Sequence, residues 1–147
     1  MLSSLEAYSR AIYSFLDTAP AVRGHTIRIY PRGAQVGILE GKIEFDHGVV
    51  LRVYERLDFA RQRIMAYSYE VWRGQQQLYW YDPWEHYDDA SLASSFPHHK
   101  HVPPDIKHHR IPAPGLSFTR PNLPFLVEEI ERQVSVSYTH LTLPTKA

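Results

Sequence analysis

Residues 49–82 read VVLRVYERLDFARQRIMAYSYEVWRGQQQLYWYD, and this stretch decides the fold. Apolar and polar residues alternate from Val49 to Phe59, which predicts a strand with one apolar face. Strands are also predicted from Arg61 to Trp72 and from Gln77 to Asp82, with the turn Arg73-Gly74-Gln75-Gln76 between them. Short turns between consecutive strands indicate an antiparallel meander, because parallel strands need crossovers of about a dozen residues or more. The apolar faces of the first two strands are predicted to carry Val49, Leu51, Val53 and Leu57, and Met65, Tyr67, Tyr69 and Val71.

Two more strands and a helix are predicted ahead of this stretch. The segment from Thr26 to Tyr30 is short, and the segment from Gln35 to Phe45 contains Gly37 and Gly41, which suggest a bulge or a break. The turn Asp46-His47-Gly48 is predicted to connect the second segment to the next strand. A helix is predicted from about residue 3 to residue 17, because apolar residues recur at helical spacing. These are Leu5, Tyr8, Ile12, Phe15 and Leu16.

The chain after the last strand is rich in proline. Residues 83–121 contain seven prolines and no periodic segment, so a long loop is expected there, and such loops are usually functional. Asn122 is then predicted to cap a second helix. The buried face of that helix is predicted to be Leu123, Leu126, Val127 and Ile130. The expected fold is α+β, a single domain over residues 1–133 in which a meander of about five strands packs against an N-terminal and a C-terminal helix.

The end of the chain differs in character from the rest. Residues 134–147 contain no acidic residue and no continuation of the helical pattern. They resemble a translated sequencing-adapter read-through, so we expect a non-native tail and exclude it from function. The alternative is a genuine short terminal strand or a disordered end.

Composition excludes several classes of protein. Without cysteine the chain has no disulfide, thiolate metal site or thiol nucleophile, which fits a cytoplasmic protein. No stretch reaches the roughly 18 apolar residues that a membrane span needs, and the N-terminus lacks the basic region of a signal peptide. Neither a phosphate-binding glycine loop nor a Gly-x-Ser-x-Gly elbow is present, so neither nucleoside-triphosphate hydrolysis nor a serine hydrolase is supported.

Charge is balanced overall but positive in one segment. Lysine plus arginine equals aspartate plus glutamate, 16 against 16, so the molecule as a whole has no strong attraction for nucleic acid. Between Phe96 and Arg110, however, many titratable or cationic residues accompany the single acid Asp105. They are His98, His99, Lys100, His101, Lys107, His108, His109 and Arg110. The histidine-rich stretch from Tyr81 to Arg110 is therefore the expected working surface.

The motif Pro97-His98-His99-Lys100-His101 suggests acid–base cleavage of RNA without a metal. One imidazole would deprotonate the ribose 2′-hydroxyl and another would protonate the leaving 5′-oxygen, while Lys100 would meet the charged phosphate. Histidines also cluster in exposed loops without catalytic roles, so that alternative stays open. If the histidines form one site, His86, His98, His99 and His101 should converge within about 10 Å.

A metal site is a second interpretation of the same residues. Zinc or manganese accepts nitrogen and oxygen ligands of the kinds present here. The candidates are Asp82, His86, Asp88, Asp89, His98, His99, His101, His108 and His109. Their spacing matches no helix-borne pair such as His-Glu-x-x-His. We therefore expect neither a bound metal nor a cofactor.

Glu55 lies in phase with the apolar residues of its strand. A carboxylate on that face is destabilising unless it is paired, hydrogen-bonded or protonated. Two roles fit this position. Glu55 either faces the histidines as a general base or orienting group, or it forms a buried pair with Arg61 or Arg63.

Five aromatic residues lie between Tyr79 and Tyr87, beside the cationic segment. Aromatic side chains in such a place stack unpaired bases. Alternation along the strand favours core positions for Tyr79 and Tyr81. Trp84 and Tyr87 lie beyond the strand and are the better candidates for contact.

The order of these motifs resembles the TumE-like family of small prokaryotic proteins, the toxins of toxin–antitoxin pairs, and in particular its cyanobacterial branch. The resemblance covers roughly residues 26–131, and Pro97 to His101 is its most specific part. Its other elements are Tyr67-Ser68-Tyr69, Tyr81-Asp82, His86, and Glu55 at the place of a strand glutamate. The family's usual pattern has arginine where this chain has Trp80, and asparagine where it has Pro83.

The resemblance implies a growth-inhibiting toxin that a cognate antitoxin neutralises, and this partner is expected to be a helix-turn-helix protein. Together with the histidines it predicts RNA as the substrate. The residues expected to act in catalysis are His98, His99, Lys100 and His101, supported by Asp82, His86 and Glu55. The residues expected to bind substrate are Tyr81, Trp84, Lys107 and Arg110. If the family arginine binds phosphate, this chain either lacks that contact or uses Arg73, Lys107 or Arg110 in its place.

Two other functions stay open from the sequence. One is a non-catalytic module that uses the proline- and histidine-rich loop to dock a protein partner. The other is a metal-dependent nuclease, which a chelator would inactivate.

Overall fold

The computed structural model describes the backbone of residues 1–146 and the side chains of residues 1–134. The first helix, α1, spans Leu5–Thr18. Ser4 caps it, since its hydroxyl accepts a hydrogen bond from the Ala7 N–H (3.0 Å) and so satisfies one of the amides that a first helical turn leaves unpaired. The buried residues of α1 are Tyr8, Ile12 and Leu16. The predicted N-terminal helix is confirmed.

In the described residues, eight strands form one antiparallel sheet. Their bounds are β1 Gly24–His25, β2 Arg28–Pro31, β3 Val36–Glu44, β4 Val49–Asp58, β5 Arg63–Arg73, β6 Gln76–Asp82, β7 His99–His101 and β8 Arg110–Pro112. The order across the sheet is β1-β3-β4-β5-β6-β7-β8, with β2 also paired to β3. From β3 to β8 each strand lies beside the next one in sequence, so the predicted meander and the α+β class are confirmed.

The meander is longer than the sequence predicts, because the proline-rich segment contributes to it. About five strands and a loop over residues 83–121 are predicted, whereas that segment contains β7, β8 and a short 3-10 helix, Ala90–Ser95. Each of these two strands has three residues, too few to show a period. In β7 the alternation is also hidden because its two buried residues are histidines rather than apolar side chains.

Gly41 explains a break at the outer edge of the sheet. Residues 24–31 form two strands, β1 and β2, with Thr26 and Ile27 between them, whereas β3 continues through Gly41; of these two, β2 overlaps the predicted strand Thr26–Tyr30. Gly41 has a φ of +145°, and a Cβ on it would lie 2.5 Å from the Thr26 carbonyl oxygen. Two backbones approach too closely here for any residue except glycine. The break that the glycines suggest therefore falls on the partner strand.

Strand β5 departs from strict alternation at Met65. Arg56 pairs with Ala66 and Leu57 pairs with Ile64, so the pairing leaves Met65 in a bulge. The Met65 side chain is 41% exposed. Its predicted place on the apolar face is therefore wrong.

The two faces of the sheet have different surroundings. Cross-strand neighbours project to the same face, and Tyr69 pairs with Tyr81, which pairs with Lys100. Both helices pack on that face, and their apolar residues form the core with those of the sheet. The partners Trp80 and His101, and likewise Asp82 and His99, lie on the opposite face. We call these the helix face and the histidine face.

The second helix, α2, spans Leu123–Lys146. Its buried residues include the four predicted ones, Leu123, Leu126, Val127 and Ile130. Asn122 precedes the helix, and its backbone carbonyl accepts from the Leu126 N–H (3.1 Å). The Asn122 side chain turns into the core instead of capping, where it donates to the Tyr69 hydroxyl (3.0 Å) and accepts from the Ser117 N–H (2.9 Å).

Helix α2 continues past residue 133, where its sequence pattern stops, and it ends at Lys146. The prediction that residues 134–147 are a non-native tail concerns side chains that, apart from Val134, lie outside the described residues, and it stays a prediction. Across the part of the chain that the structure describes, no helix is both long and apolar enough to span a membrane.

Candidate functional site

Strand β7 presents two imidazoles to the histidine face and an ammonium group to the helix face. His99, Lys100 and His101 alternate in direction, as residues of a strand do. His99 is 1% exposed and His101 is 4% exposed. Buried polar side chains need hydrogen-bond partners, so the surroundings of these two rings define what they do.

Asp82, at the end of β6, meets both imidazoles. Its Oδ1 lies 3.1 Å from His99 Nε2, and its Oδ2 lies 3.2 Å from His101 Nε2. The two Nε2 atoms are themselves 3.1 Å apart. We call Asp82, His99 and His101 the Asp–His–His centre. The Asp82 side chain is 26% exposed, so a ligand reaches the centre at Asp82 rather than at the buried imidazoles.

Two N–H groups fix the Asp82 carboxylate. The indole Nε1 of Trp80 donates to Oδ2 (3.0 Å), and the backbone N–H of Trp84 donates to Oδ1 (2.8 Å). Burial alone would raise the pKa of the Asp82 carboxyl. Its contacts with His101 and His99, together with these two donors, instead hold that pKa well below its usual range. The group is therefore a carboxylate at neutral pH.

The Nδ1 atoms of both imidazoles face backbone carbonyl oxygens. His99 Nδ1 lies 3.1 Å from the oxygen of Pro97, and His101 Nδ1 lies 3.0 Å and 3.1 Å from those of Ile106 and Lys107. Because a carbonyl oxygen only accepts, each Nδ1 carries hydrogen. An imidazole that also carries hydrogen on Nε2 donates it to Asp82, whereas one without that hydrogen points a lone pair into the centre.

His86 and Arg110 border the centre. The His86 ring packs edge-on against His99 with centroids 4.9 Å apart, and Arg110 Nη1 lies 3.0 Å from His86 Nε2. Burial and the positive charge of Arg110 lower the pKa of the His86 imidazole. Among the described residues, Arg110 Nε is buried without a hydrogen-bond partner. The rim thus holds a guanidinium with an unused donor.

A groove of about 530 Å³ opens over the centre. Its lining includes a carboxylate, cations, imidazoles and aromatic rings. Among these residues are Asp82, Trp84, His86, His101, Lys107 and Arg110. Trp84 is 72% exposed, in agreement with its predicted place beyond the strand. Trp80 stacks on His101 with ring centroids 4.1 Å apart, so it forms part of the wall.

Lys100 and Tyr81 lie on the helix face, away from the paired imidazoles. Lys100 Nζ is 3.4 Å from Glu129 Oε2 and 4.2 Å from the centre of the Tyr79 ring. Tyr81 is 2% exposed, and its hydroxyl donates to Glu129 (2.7 Å). The core positions predicted for Tyr79 and Tyr81 are confirmed. The sequence predicts that Lys100 meets one phosphate together with the imidazoles. The geometry does not support this, because the ammonium and the paired imidazoles lie on opposite faces of the sheet.

His98 is separated from its neighbour His99 by its own contacts. Its Nδ1 lies 2.5 Å from the Tyr67 hydroxyl, and its ring packs against Phe118 with centroids 4.5 Å apart. Burial, with the charges of His99 and Arg120, lowers the pKa of the His98 imidazole. Of the four histidines predicted to converge, His86, His99 and His101 contact one another, and in the described residues His98 shares none of those contacts.

Glu55 is fully buried on the helix face. The Tyr8 hydroxyl donates to its Oε1 (2.6 Å) and the Tyr69 hydroxyl donates to its Oε2 (2.5 Å). Burial raises the pKa of the Glu55 carboxyl, and the two hydrogen bonds offset this in part. Both predicted arrangements are therefore wrong, because within the described chain the partners of Glu55 are tyrosines rather than imidazoles or arginines.

Of the other metal-ligand candidates, His86 borders the centre, whereas His108 and Asp89 have their contacts elsewhere. Asp82, His99 and His101 form the one group of described side chains whose ligand atoms all lie within 4.8 Å of one another. His108 instead contacts Asp105 (3.1 Å), and Asp89 accepts a hydrogen bond from the Ser91 N–H (3.1 Å).

Trp80 is a site residue that the sequence does not predict, since it stands out there only as one of five clustered aromatic residues and as a departure from the family pattern. The structure shows that it both covers His101 and hydrogen-bonds Asp82. A signal was present, because Trp80 and Asp82 are two residues apart on a predicted strand and so share a face.

The family model described as "Toxin TumE" matches residues 12–134. The matched range includes the Asp–His–His centre and its rim. No curated protein and no solved structure matches the chain.

Proposed function

The chain belongs to the TumE toxin family, and we propose that it exerts its toxicity by cleaving RNA at the Asp–His–His centre. The observation that carries the proposal is the convergence of Asp82, His99 and His101 beneath a groove that also holds Lys107 and Arg110. Cleavage of a phosphodiester needs a group that activates an oxygen nucleophile and cations that stabilise the charged phosphate. The groove contains residues of both kinds.

The lining of the groove favours single-stranded RNA as the substrate. Arg110 lines the groove, and a guanidinium binds phosphate through two parallel hydrogen bonds. The exposed indole of Trp84 offers a surface on which an unpaired base stacks. We propose that Arg110 and Lys107 hold the backbone and that Trp84 holds a base. Arg110 would then replace the arginine of the family pattern.

The positions of the two imidazoles limit how they could act as base and acid in such a cleavage. When the ribose 2′-oxygen attacks phosphorus, the P–O5′ bond breaks, the 2′-hydroxyl loses a proton and the 5′-oxygen gains one. Two imidazoles acting separately as base and acid must reach opposite sides of the phosphate. His99 Nε2 and His101 Nε2 are 3.1 Å apart and face one carboxylate, so the pair acts from one side. Metal-independent and metal-assisted cleavage are the two mechanisms to be compared, and a chelator separates them.

Membership in a toxin family implies an antitoxin partner. We propose, as the resemblance implies, that this partner is a helix-turn-helix protein. A toxin that cleaves RNA acts where RNA is translated, so we also propose that the chain works in the cytoplasm.

The proposal is tested by expressing the chain without its partner and by incubating the purified chain with labelled single-stranded RNA. We expect the wild-type chain to arrest growth and to cleave RNA. Asp82→Asn and His101→Gln should reduce the rate of cleavage at least a hundredfold at equal soluble amounts, and they should relieve the arrest. His109→Gln is the control, since His109 is exposed and bonds only a backbone carbonyl among the described groups. Arrest and cleavage that persist in Asp82→Asn would refute the proposed centre. A wild-type chain that neither arrests growth nor cleaves RNA would favour the docking module.

A further inference from the structure

The Asp–His–His centre has the composition and geometry of a metal-binding site. We propose that it binds one divalent transition-metal ion, of the class of Zn²⁺ or Mn²⁺, through the Asp82 carboxylate and the Nε2 atoms of His99 and His101. This inference rests on the proposed RNA cleavage for the role of the ion, but not for its binding. It reverses the expectation from the sequence that no metal is held.

The spacing of the three ligand atoms fits coordination to one ion. Ligands bonded at about 2.1 Å, with angles of about 90–110° between them, lie about 3.0–3.4 Å from each other. The two Nε2 atoms are 3.1 Å apart, and they lie 3.1 Å and 3.2 Å from the Asp82 oxygens. An ion placed between these atoms therefore needs no large movement of the backbone.

The hydrogen-bond pattern leaves a place for a cation. Each Nδ1 carries hydrogen toward a carbonyl oxygen, so with neutral imidazoles two Nε2 lone pairs and a carboxylate face one another. Such an arrangement of acceptors is repulsive unless positive charge, from imidazole protons or from a bound cation, lies among them. No ion pair of the described residues joins Asp82 to a lysine or an arginine. A metal ion at the common focus would satisfy all three groups at once.

Each ligand is also held from behind, as metal ligands in proteins usually are. Backbone carbonyl oxygens orient the two imidazoles, and the Trp80 and Trp84 N–H groups orient the carboxylate. The imidazoles are buried, so their rotamers are fixed before an ion arrives. The site would therefore be preorganised.

The protein supplies three ligands and leaves the remaining coordination positions toward the groove. Sites with open positions are typical of catalytic rather than structural metals. Arg110 lies on the same rim, 3.0 Å from His86, so a phosphate held by its guanidinium lies beside the centre. An ion there would polarise a phosphoryl oxygen.

The test uses the untagged full-length chain, freed of metals with a chelator and dialysed, so that no affinity tag supplies histidines. Zn²⁺ and Mn²⁺ are titrated by calorimetry, and Co²⁺ binding is followed by its visible absorption. We expect one ion per chain, with the affinity reduced at least tenfold in Asp82→Asn and in His101→Gln and unchanged in His109→Gln. Thermal unfolding with and without Zn²⁺ provides a second readout, in which the ion should raise the Tm of the wild type and of His109→Gln more than that of Asp82→Asn or His101→Gln.

A third measurement does not depend on whether the variants fold. In the wild-type chain, Zn²⁺ should shift the Nε2 nitrogen resonances of His99 and His101 while their Nδ1 protons persist. Absence of stoichiometric binding, or unchanged affinity in folded Asp82→Asn and His101→Gln, would overturn the metal inference. RNA cleavage that persists in chelator would overturn the role of the ion in cleavage and leave the proposed function standing. Metal binding without RNA cleavage would refute only the function.

Discussion

Lys100 Nζ lies 3.4 Å from Glu129 Oε2, on the face of the sheet opposite the two imidazoles that flank it in the sequence. This ion pair joins β7 to α2, and the Lys100 ammonium also lies over the Tyr79 ring. The motif from Pro97 to His101 therefore combines two functions. One residue of β7 anchors the strand to the helix, and its two neighbours build the centre.

Lys100→Met should separate stability from activity. The substitution removes the ion pair with Glu129, which keeps its hydrogen bond from Tyr81, and it removes the cation–π contact. We therefore expect the free energy of unfolding to fall by about 1–3 kcal/mol. RNA cleavage per folded molecule should stay within about twofold of the wild type, because Lys100 is not in the groove. Urea unfolding and single-turnover cleavage measure the two quantities. A folded Lys100→Met chain without activity would show that the ammonium acts in the reaction.

Trp80→Phe should weaken the centre without unfolding the protein. Phenylalanine keeps a ring against His101 but cannot donate to Asp82, and loss of such an outer hydrogen bond typically reduces metal affinity about 10–100-fold. Calorimetric titration with Zn²⁺ measures this directly. Trp72→Phe is the matched control, since the Trp72 indole donates to Glu70 (3.0 Å), also two residues away. Equal effects of the two substitutions would contradict a specific role for Trp80.

Glu55→Gln should change how stability depends on pH. Burial raises the pKa of the Glu55 carboxyl in the folded chain, so folding takes up a proton between the unfolded and folded pKa values. This contribution to stability is complete below the unfolded pKa of about 4.3 and is lost as pH rises through the folded pKa. The wild type should therefore lose stability relative to Glu55→Gln as pH rises from the unfolded pKa through the folded pKa. Urea unfolding of the two chains at several pH values measures the difference in their free energies of unfolding. A difference that stays constant with pH, or changes in the opposite direction, would show that burial does not raise the pKa of the Glu55 carboxyl.

Gly41→Ala should destabilise the sheet more than Gly74→Ala. Both glycines have positive φ, but a Cβ at Gly41 would collide with the Thr26 carbonyl oxygen, whereas a Cβ at Gly74 meets nothing within 4 Å. The conformational term alone is about 1–2 kcal/mol, and the collision should add about 2 kcal/mol or more at Gly41. Thermal unfolding of the two variants tests this comparison. Similar Tm values would indicate that β1 and β2 move apart at little cost.

The regular half of the fold could be predicted from the sequence. Alternation in β4 and helical spacing in α1 and α2 are long patterns, and each one is confirmed. The three-residue strands could not be predicted, because β7 and β8 obtain their stability from neighbours rather than from a period of their own. Met65 shows the same limit, since a bulge depends on the partner strand.

The candidate site could be predicted only as a set of residue types. Five of its residues line one groove, as their shared segment suggests, and they are Asp82, His86, His101, Lys107 and Arg110. His99 is buried against Asp82 and His86. The sequence could not show that Lys100 turns the other way, because strand β7 itself was not predicted. Glu55 could be identified as a buried carboxylate, but its tyrosine partners come from distant elements that no local pattern links.

Strand β7 carries its contributions to the core and to the groove on alternate residues. A point substitution therefore alters one side and leaves the other intact, so the two can diverge independently. Loss or gain of one residue between Pro97 and Lys100 would instead rotate the strand by half a turn. The Lys100 ammonium would then lie on the histidine face, and neighbouring imidazoles would lie on the helix face among the tyrosines.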